Sequence, residues 1–253
     1  MDSLNERGYV FLKSVVKDDI IAYTNAQINN FIKDEHIFTK MNSREDIKSD
    51  KYYVNNNYSV LNSFNKIQFY RTPVFNVGGN KDTVTNKGLI EVYNPERVMT
   101  FLNNTIDTTL IKTIMKKLTN IDWKFSRMSL KFSNSVLKPE KVHNDDHETC
   151  LKCCIYLTDV LDYNCGPNVY IEGSHQDNEN IHDRSKIKVF NGKKGDILIS
   201  FQNGYHGRLA NPNLITAYLT LYFIPANPKY SKFNDYIAFS RFNNNSNSTS
   251  VSM

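Results

Sequence analysis

From Trp123 onward the chain breaks into six short apolar runs, at 123–132, 151–157, 167–171, 187–190, 196–201 and 215–224, punctuated by Gly, Pro and Asn. This pattern constrains the fold more than any other feature. Many short strands separated by turn residues bury their apolar faces by packing sheet against sheet, as a sandwich or barrel. Alternation sorts the first run into two faces, with Met128, Leu130 and Phe132 on one and Arg127, Ser129 and Lys131 on the other. The first half of the chain reads differently. A short strand led by Gly8 is expected over 7–14. A helix capped by Asp18 or Asp19 follows, with Ile20, Ile21, Ile28, Phe31 and Ile32 at helical spacing. Pro95 opens a second helical region, whose apolar stripe runs from Val98 to Leu118. The expected fold is therefore mainly β with flanking helices.

The chain has 253 residues, 40% of them hydrophobic, enough for one sizeable core. Residues 1–242 are expected to form a single domain, with 34–92 a loop-rich insertion or lid and the polar stretch 243–253 a disordered tail. The formal charge is +5, from 31 basic and 26 acidic residues. The basic residues are scattered, so no stripe or tail argues for nucleic acid. No apolar stretch approaches the roughly 18 residues of a membrane span. The start of the chain lacks a basic n-region and an apolar h-region, and a soluble, cytoplasmic protein is expected. The four cysteines, Cys150, Cys153, Cys154 and Cys165, crowd into 16 residues. On a strand Cys150 and Cys153 point to opposite faces, so they read as reduced, packed thiols and not as a metal or redox pair.

Histidine is scarce, with six in all. Two of them, His143 and His147, sit with Asp145, Asp146 and Glu148 in one short segment. In extended chain, His143 and Asp145 point the same way and can present an imidazole and a carboxylate to one ion. His206, between Tyr205 and Gly207 after the strand ending at Phe201, is the best third ligand. Two histidines and a carboxylate on one face, with open positions opposite, are the ligand set of non-haem Fe(II) oxygenases. His147 and Glu148 compete as ligands. His175 closes a Gly-Ser-His turn and is read as structural.

These motifs, in this order, resemble the phytanoyl-CoA dioxygenase (PhyH-like) family of Fe(II)/2-oxoglutarate oxygenases. The resemblance is carried by Glu6 to Lys13 with the following helix, and by Ser126 to Ser129 leading into His143-Asn144-Asp145. Cys165 to His175, with Glu172 where the family usually has proline, and Gly195-Asp196 with the later His206-Gly207 complete it. The resemblance implies a double-stranded β-helix (jelly roll, cupin-like) core. It also implies Fe(II) on His143, Asp145 and His206, with 2-oxoglutarate and dioxygen as co-substrates. The reaction it implies is hydroxylation of an unactivated C–H bond of a small-molecule substrate, with succinate and carbon dioxide formed alongside. Related halogenases replace the carboxylate ligand with a small residue, and Asp145 therefore favours hydroxylation.

The family normally places an arginine about ten residues after the distal histidine, where its planar fork pairs with the far carboxylate of 2-oxoglutarate. Asn213 to Tyr218, with Thr216 at its centre, has none. Three arrangements stay open. The carboxylate partner stands elsewhere, at Arg127 beside Ser129 and Lys131 on the polar face of its strand, or at Arg208. Alternatively, the chain is a cupin-like metalloenzyme that does not use 2-oxoglutarate. In the third arrangement it is a non-catalytic jelly-roll binding protein. Outside this context Arg127 reads as half of a local salt bridge, and Arg208 as a solvated turn residue. Tyr52, Tyr53, Tyr58, Gln68, Tyr70 and Arg71 fall where a lid would sit.

Overall fold

Two sheets face each other in the computed structural model, which describes residues 3–34, 51–54, 59–61, 74–77, 89–136, 139–145, 150–176 and 182–227. The elements run α1 (Ser3–Arg7), β1 (Tyr9–Leu12), α2 (Asp18–Asp34), β2 (Lys51–Val54), β3 (Ser59–Leu61), β4 (Val74–Val77) and β5 (Leu89–Tyr93). A 3₁₀ turn, Pro95–Arg97, leads to α3 (Leu102–Thr105) and α4 (Thr108–Thr119). Then come β6 (Trp123–Val136), β7 (Leu151–Tyr156), β8 (Asn168–Ile171), β9 (Ile187–Phe190), β10 (Ile197–Phe201), β11 (His206–Arg208) and β12 (Asn211–Pro225). The larger sheet has the order β1-β10-β7-β12-β6-β5-β4-β2-β3, and the smaller β11-β8-β9. A bridge from His143 to His206 adds the segment before Asp145 to the smaller sheet.

Eight successive segments from β6 to β12, the His143 segment included, thus divide equally between the two sheets, and β8 and β9 form a hairpin in the smaller one. The first, eighth, third and sixth lie side by side in one, and the second, seventh, fourth and fifth in the other. Every pairing is antiparallel. This is the double-stranded β-helix, or jelly roll, that the sequence resemblance implies.

Period-two alternation decides which side of the larger sheet is dry. Met128 and Leu130 of β6, Leu219 and Leu221 of β12, Cys153 and Ile155 of β7, and Ile197 and Ile199 of β10 form one buried cluster with Ile21 and Ile28 of α2 and Ile111 and Met115 of α4. The alternate residues face the smaller sheet. The polar set Arg127, Ser129 and Lys131 is therefore turned inward, away from the helices. α4 is closed at both ends. The Asp107 carboxylate accepts from the Thr109 and Leu110 amides, and Asn120 adopts a left-handed conformation at the C-cap. Asp18 and Asp19 are not caps but occupy the first turn of α2, where their negative charge complements the positive end of the helix dipole. The cysteines are free and buried.

Within the segment 34–92, read as long loops with short elements, four short strands, β2 to β5, extend the larger sheet beyond β6. Two elements differ from expectation. β12 starts at Asn211 because a register shift between Asn211 and Ile215 lets it keep pairing with β6. β11, three residues long, is too short to show periodicity and takes its strand character from β8. His147, Glu148, Tyr58, Gln68, Tyr70, Arg71 and the tail 243–253 lie outside the described residues, as do the side chains of Tyr52 and Tyr53.

Candidate metal centre and the barrel interior

The bridge between the two histidine segments sets the site. The His143 amide donates to the His206 carbonyl at 2.9 Å, and the His206 amide returns a bond to His143 at 2.8 Å. Directly opposed residues project side chains to one face, and the two imidazole centroids lie 4.8 Å apart. Asp145 is held by its amide on the Gln202 carbonyl and by its Oδ2, which accepts from Gln202 Nε2 at 2.8 Å.

The tautomers follow from the partners. His143 Nδ1 lies 2.9 Å from the Lys141 carbonyl, and His206 Nδ1 lies 2.8 Å from that of Gly204. A carbonyl oxygen only accepts, so each Nδ1 carries the proton and each Nε2 presents a lone pair. Those lone pairs face Asp145, His143 Nε2 at 3.5 Å from Oδ1 and His206 Nε2 at 3.4 Å from Oδ2. The ligand atoms of all three residues lie within 4.8 Å of one another. His206 Nε2 is buried without a hydrogen-bond partner. Burial, then the positive charge of Lys152, pushes His206 down to about pKa 4, so it stays neutral as a metal ligand must. A buried, neutral nitrogen aimed at a carboxylate with no proton between them fits a divalent cation, and the two-nitrogen, one-oxygen set suits Fe(II).

A cavity lies between the sheets beside His206. Its wall includes His206, Lys152 and Tyr222 at one end, and Tyr218, Lys131 and Arg208 toward the other. Arg208 is not a solvated turn residue. It is 5% exposed, projects to the same side as His206 two positions along β11, and donates from Nη1 to Asn211 Oδ1 at 3.2 Å and the Leu209 carbonyl at 3.3 Å. No carboxylate among the described residues pairs with it. Lys131 is matched differently, with its Nζ 3.6 Å from the buried Glu91 carboxylate, whose other oxygen accepts from the Tyr93 hydroxyl. Ser129 meets the Tyr222 hydroxyl at 3.4 Å, and Thr216 is buried against Asn211; neither lines the cavity. Arg127 does not line it either but stacks on Tyr222, its guanidinium carbon 3.7 Å from the ring centroid.

His175 stacks on Phe201 and faces the Asn5 carbonyl through Nε2, remote from the triad's hydrogen bonds. Sequence reasoning missed Gln202 and Lys152. Lys152 was visible in the alternation of β7, where it shares a face with Cys154. Gln202 had no signal, since its role exists only because the fold brings it to Asp145.

No protein-family model and no curated protein sequence matches the chain. Solved structures do match it. The non-heme alpha ketoglutarate dependent carbocyclase SnoK of nogalamycin biosynthesis aligns with a TM-score of 0.61 at 13% identity, over 89% of this chain and 83% of that one. HygX from Streptomyces hygroscopicus, solved with nickel and 2-oxoglutarate bound, gives 0.59 at 9% identity, over 88% and 84%. EvdO2 from Micromonospora carbonacea var. aurantiaca, complexed with 2-oxoglutarate, gives 0.59 at 12%, over 89% of each chain. At these identities the likeness establishes a shared jelly-roll fold. Function rests on the residues inside it.

Proposed function

We propose that the chain is a non-haem Fe(II)- and 2-oxoglutarate-dependent oxygenase that hydroxylates a small-molecule substrate. The observation that carries this reading is the convergence of two imidazole lone pairs and one carboxylate on a single point of the barrel wall, with ligand atoms within 4.8 Å of one another. Proteins of the same fold, solved with 2-oxoglutarate bound, support the choice of co-substrate. The order of the motifs from Gly8 to His206 supports the PhyH-like branch.

His143, Asp145 and His206 would hold Fe(II), which supplies dioxygen activation coupled to oxidative decarboxylation of the keto acid. Overall, one oxygen atom enters the substrate C–H bond as hydroxyl and the other enters succinate. The protein's residues do the rest. Gln202 fixes the carboxylate, and the Lys141 and Gly204 carbonyls fix both imidazoles. Tyr170, Tyr218 and Tyr222, all buried, line the cavity. Arg208 is the carboxylate partner in this reading. It stands about 7 Å along β11 from His206 by strand rise, on the same face and in the same cavity, and no carboxylate among the described residues forms a salt bridge with it. Among the candidates it is the buried, planar cation on that cavity wall, whereas Lys131 is held by Glu91.

The absence of an arginine from 213–218 favours a second reading, a jelly-roll metalloprotein that does not use 2-oxoglutarate. An anaerobic titration separates the two. Fe(II) followed by 2-oxoglutarate should give the weak visible band of keto acid chelated to ferrous iron. The band should vanish in His206→Ala, and in Arg208→Gln it should appear only at keto-acid concentrations raised tenfold or more. One bound iron without any band in the wild-type protein rejects the keto-acid reading.

A further inference from the structure

One buried cation is not used by this scheme. Arg127 belongs to a row that crosses the larger sheet, since it pairs with Tyr222, Tyr222 with Lys152, and Lys152 with Ser200. The flanking row, Met128, Leu221, Cys153 and Ile199, packs on the helices, so the Arg127 row faces the smaller sheet. Its height along the barrel is that of the metal site. Lys152 pairs with Ser200, and two residues further along β10 the Gln202 amide donates to the Cys150 carbonyl while its side chain holds Asp145.

Arg127 is 7% exposed, yet its Nε and Nη1 are buried without a hydrogen-bond partner. No carboxylate among the described residues forms a salt bridge with it. Glu96, whose carboxyl feels the Arg127 charge, leaves its own Oε2 buried and unpartnered, and burial pushes that carboxyl up despite Arg127. The guanidinium is instead clamped flat on Tyr222, which lines the cavity, so the fork sits directly behind the cavity wall. Stacking fixes the plane of the fork and leaves its edge donors pointing away from the ring. A buried guanidinium with two idle donors is costly unless an anion completes it. A planar, immobilised fork matches a carboxylate or phosphate through two parallel bonds.

We propose that Arg127 is the substrate-anchoring residue, and that the substrate carries a carboxylate or phosphate group which this fork holds at the metal end of the barrel. The inference rests on the oxygenase reading, in which Arg208 takes the far carboxylate of the keto acid. It makes Arg127 and Arg208 two anion sites with separate occupants.

Benzoate and phenyl phosphate share a ring and differ in the anion, and benzamide is the neutral control. Each is titrated calorimetrically into the full chain loaded anaerobically with Fe(II) and 2-oxoglutarate. At least one anion should bind and benzamide should not. The stronger anion names the group. Arg127→Gln should weaken that anion tenfold or more, and Arg127→Lys, which keeps the charge without the fork, should fall between. Both variants should retain the ferrous keto-acid band, which also reports that they are folded. Binding of neither anion, or equal binding in Arg127→Gln, overturns the proposal. So does loss of the band in Arg127→Gln with retention in Arg208→Gln, which would make Arg127 the keto-acid partner. If wild-type protein gives no band, the oxygenase reading has failed. The same titration on protein without keto acid then reads Arg127 separately: dependence of anion binding on Arg127 keeps the anion site, and independence removes it.

Discussion

Gln202 does for Asp145 what the Lys141 and Gly204 carbonyls do for the two imidazoles: it removes a rotational freedom before any ion arrives. Its Nε2 bond to Oδ2 and its carbonyl bond to the Asp145 amide clamp the carboxylate from two sides. Gln202→Leu deletes the side-chain bond and keeps the backbone one. Partners of metal ligands typically contribute about 10–100-fold in affinity. A loss in that range is expected for Co(II) or Fe(II) measured by titration, with an unchanged far-ultraviolet circular dichroism spectrum. Unchanged metal affinity would show the clamp to be irrelevant. His175 carries a different prediction. Burial holds its pKa below the ordinary histidine value, and its buried Nδ1 has no partner to receive a proton's charge. The unfolded chain therefore takes up a proton before the folded one does as the pH falls. The stability this residue contributes is complete above about pH 6.5 and is lost as the pH falls below that value. His175→Gln, which keeps a donor for the Asn5 carbonyl, should flatten the decline of Tm below about pH 6.5. A parallel decline in wild type and variant would assign the acid sensitivity elsewhere. The His143–Asp145 pair was legible in the sequence because spacing of two on an extended segment is a local property, whereas His206 was reached only through its place after the strand ending at Phe201. Gln202 was not, because its function is a long-range pairing.

At the scale of the element, β12 and β6 show how one alternation serves two purposes. Leu219 and Leu221 face the helices, while Tyr218, Thr220 and Tyr222 face the cavity. The two faces should respond unequally to substitution. Leu219→Ala removes side-chain atoms from a closed cluster and should cost about 2–5 kcal/mol in denaturant unfolding. Thr220→Ser, on the cavity face, should cost under about 1 kcal/mol. Equal costs would mean that the interior is as tightly packed as the helix side. On β6 this division of faces is legible in the amino-acid order alone, from Met128, Leu130 and Phe132 against Arg127, Ser129 and Lys131. The fate of 34–92 is not. Its strands are three to five residues long, and β2 to β5 are strands because each hydrogen-bonds to a neighbour in the larger sheet. Such pairing leaves little imprint on so short a stretch. β11 is the same case at three residues, and it brings the third ligand.

Across the whole molecule, the candidate metal centre joins two parts of the chain that lie far apart in sequence. His143 and Asp145 lie between β6 and β7, and His206 follows β10, more than sixty residues later. Without an ion the segments are tied by the paired His143 and His206 backbone bonds, the Asp145–Gln202 contacts and the Glu140 amide on the Arg208 carbonyl. An ion bound to all three side chains would cross-link both segments in the folded state alone. Folding and metal binding are then linked, and at a free concentration 100 times the dissociation constant the ion should stabilise the protein by about 2.7 kcal/mol. Thermal unfolding of metal-free protein against increasing Co(II) should therefore show a Tm that climbs without a plateau at stoichiometry, by about RT ln(1 + [L]/Kd). His206→Ala retains the backbone bridge and loses one ligand, so its Tm should respond only at much higher metal. The same titration read on Arg208→Gln discriminates fold from site, because Arg208 touches no ligand side chain and its loss should leave the metal-dependent shift intact. A Tm that ignores Co(II) in the wild-type protein, or that rises equally in His206→Ala, would mean that the three side chains do not bind one ion, however closely they converge.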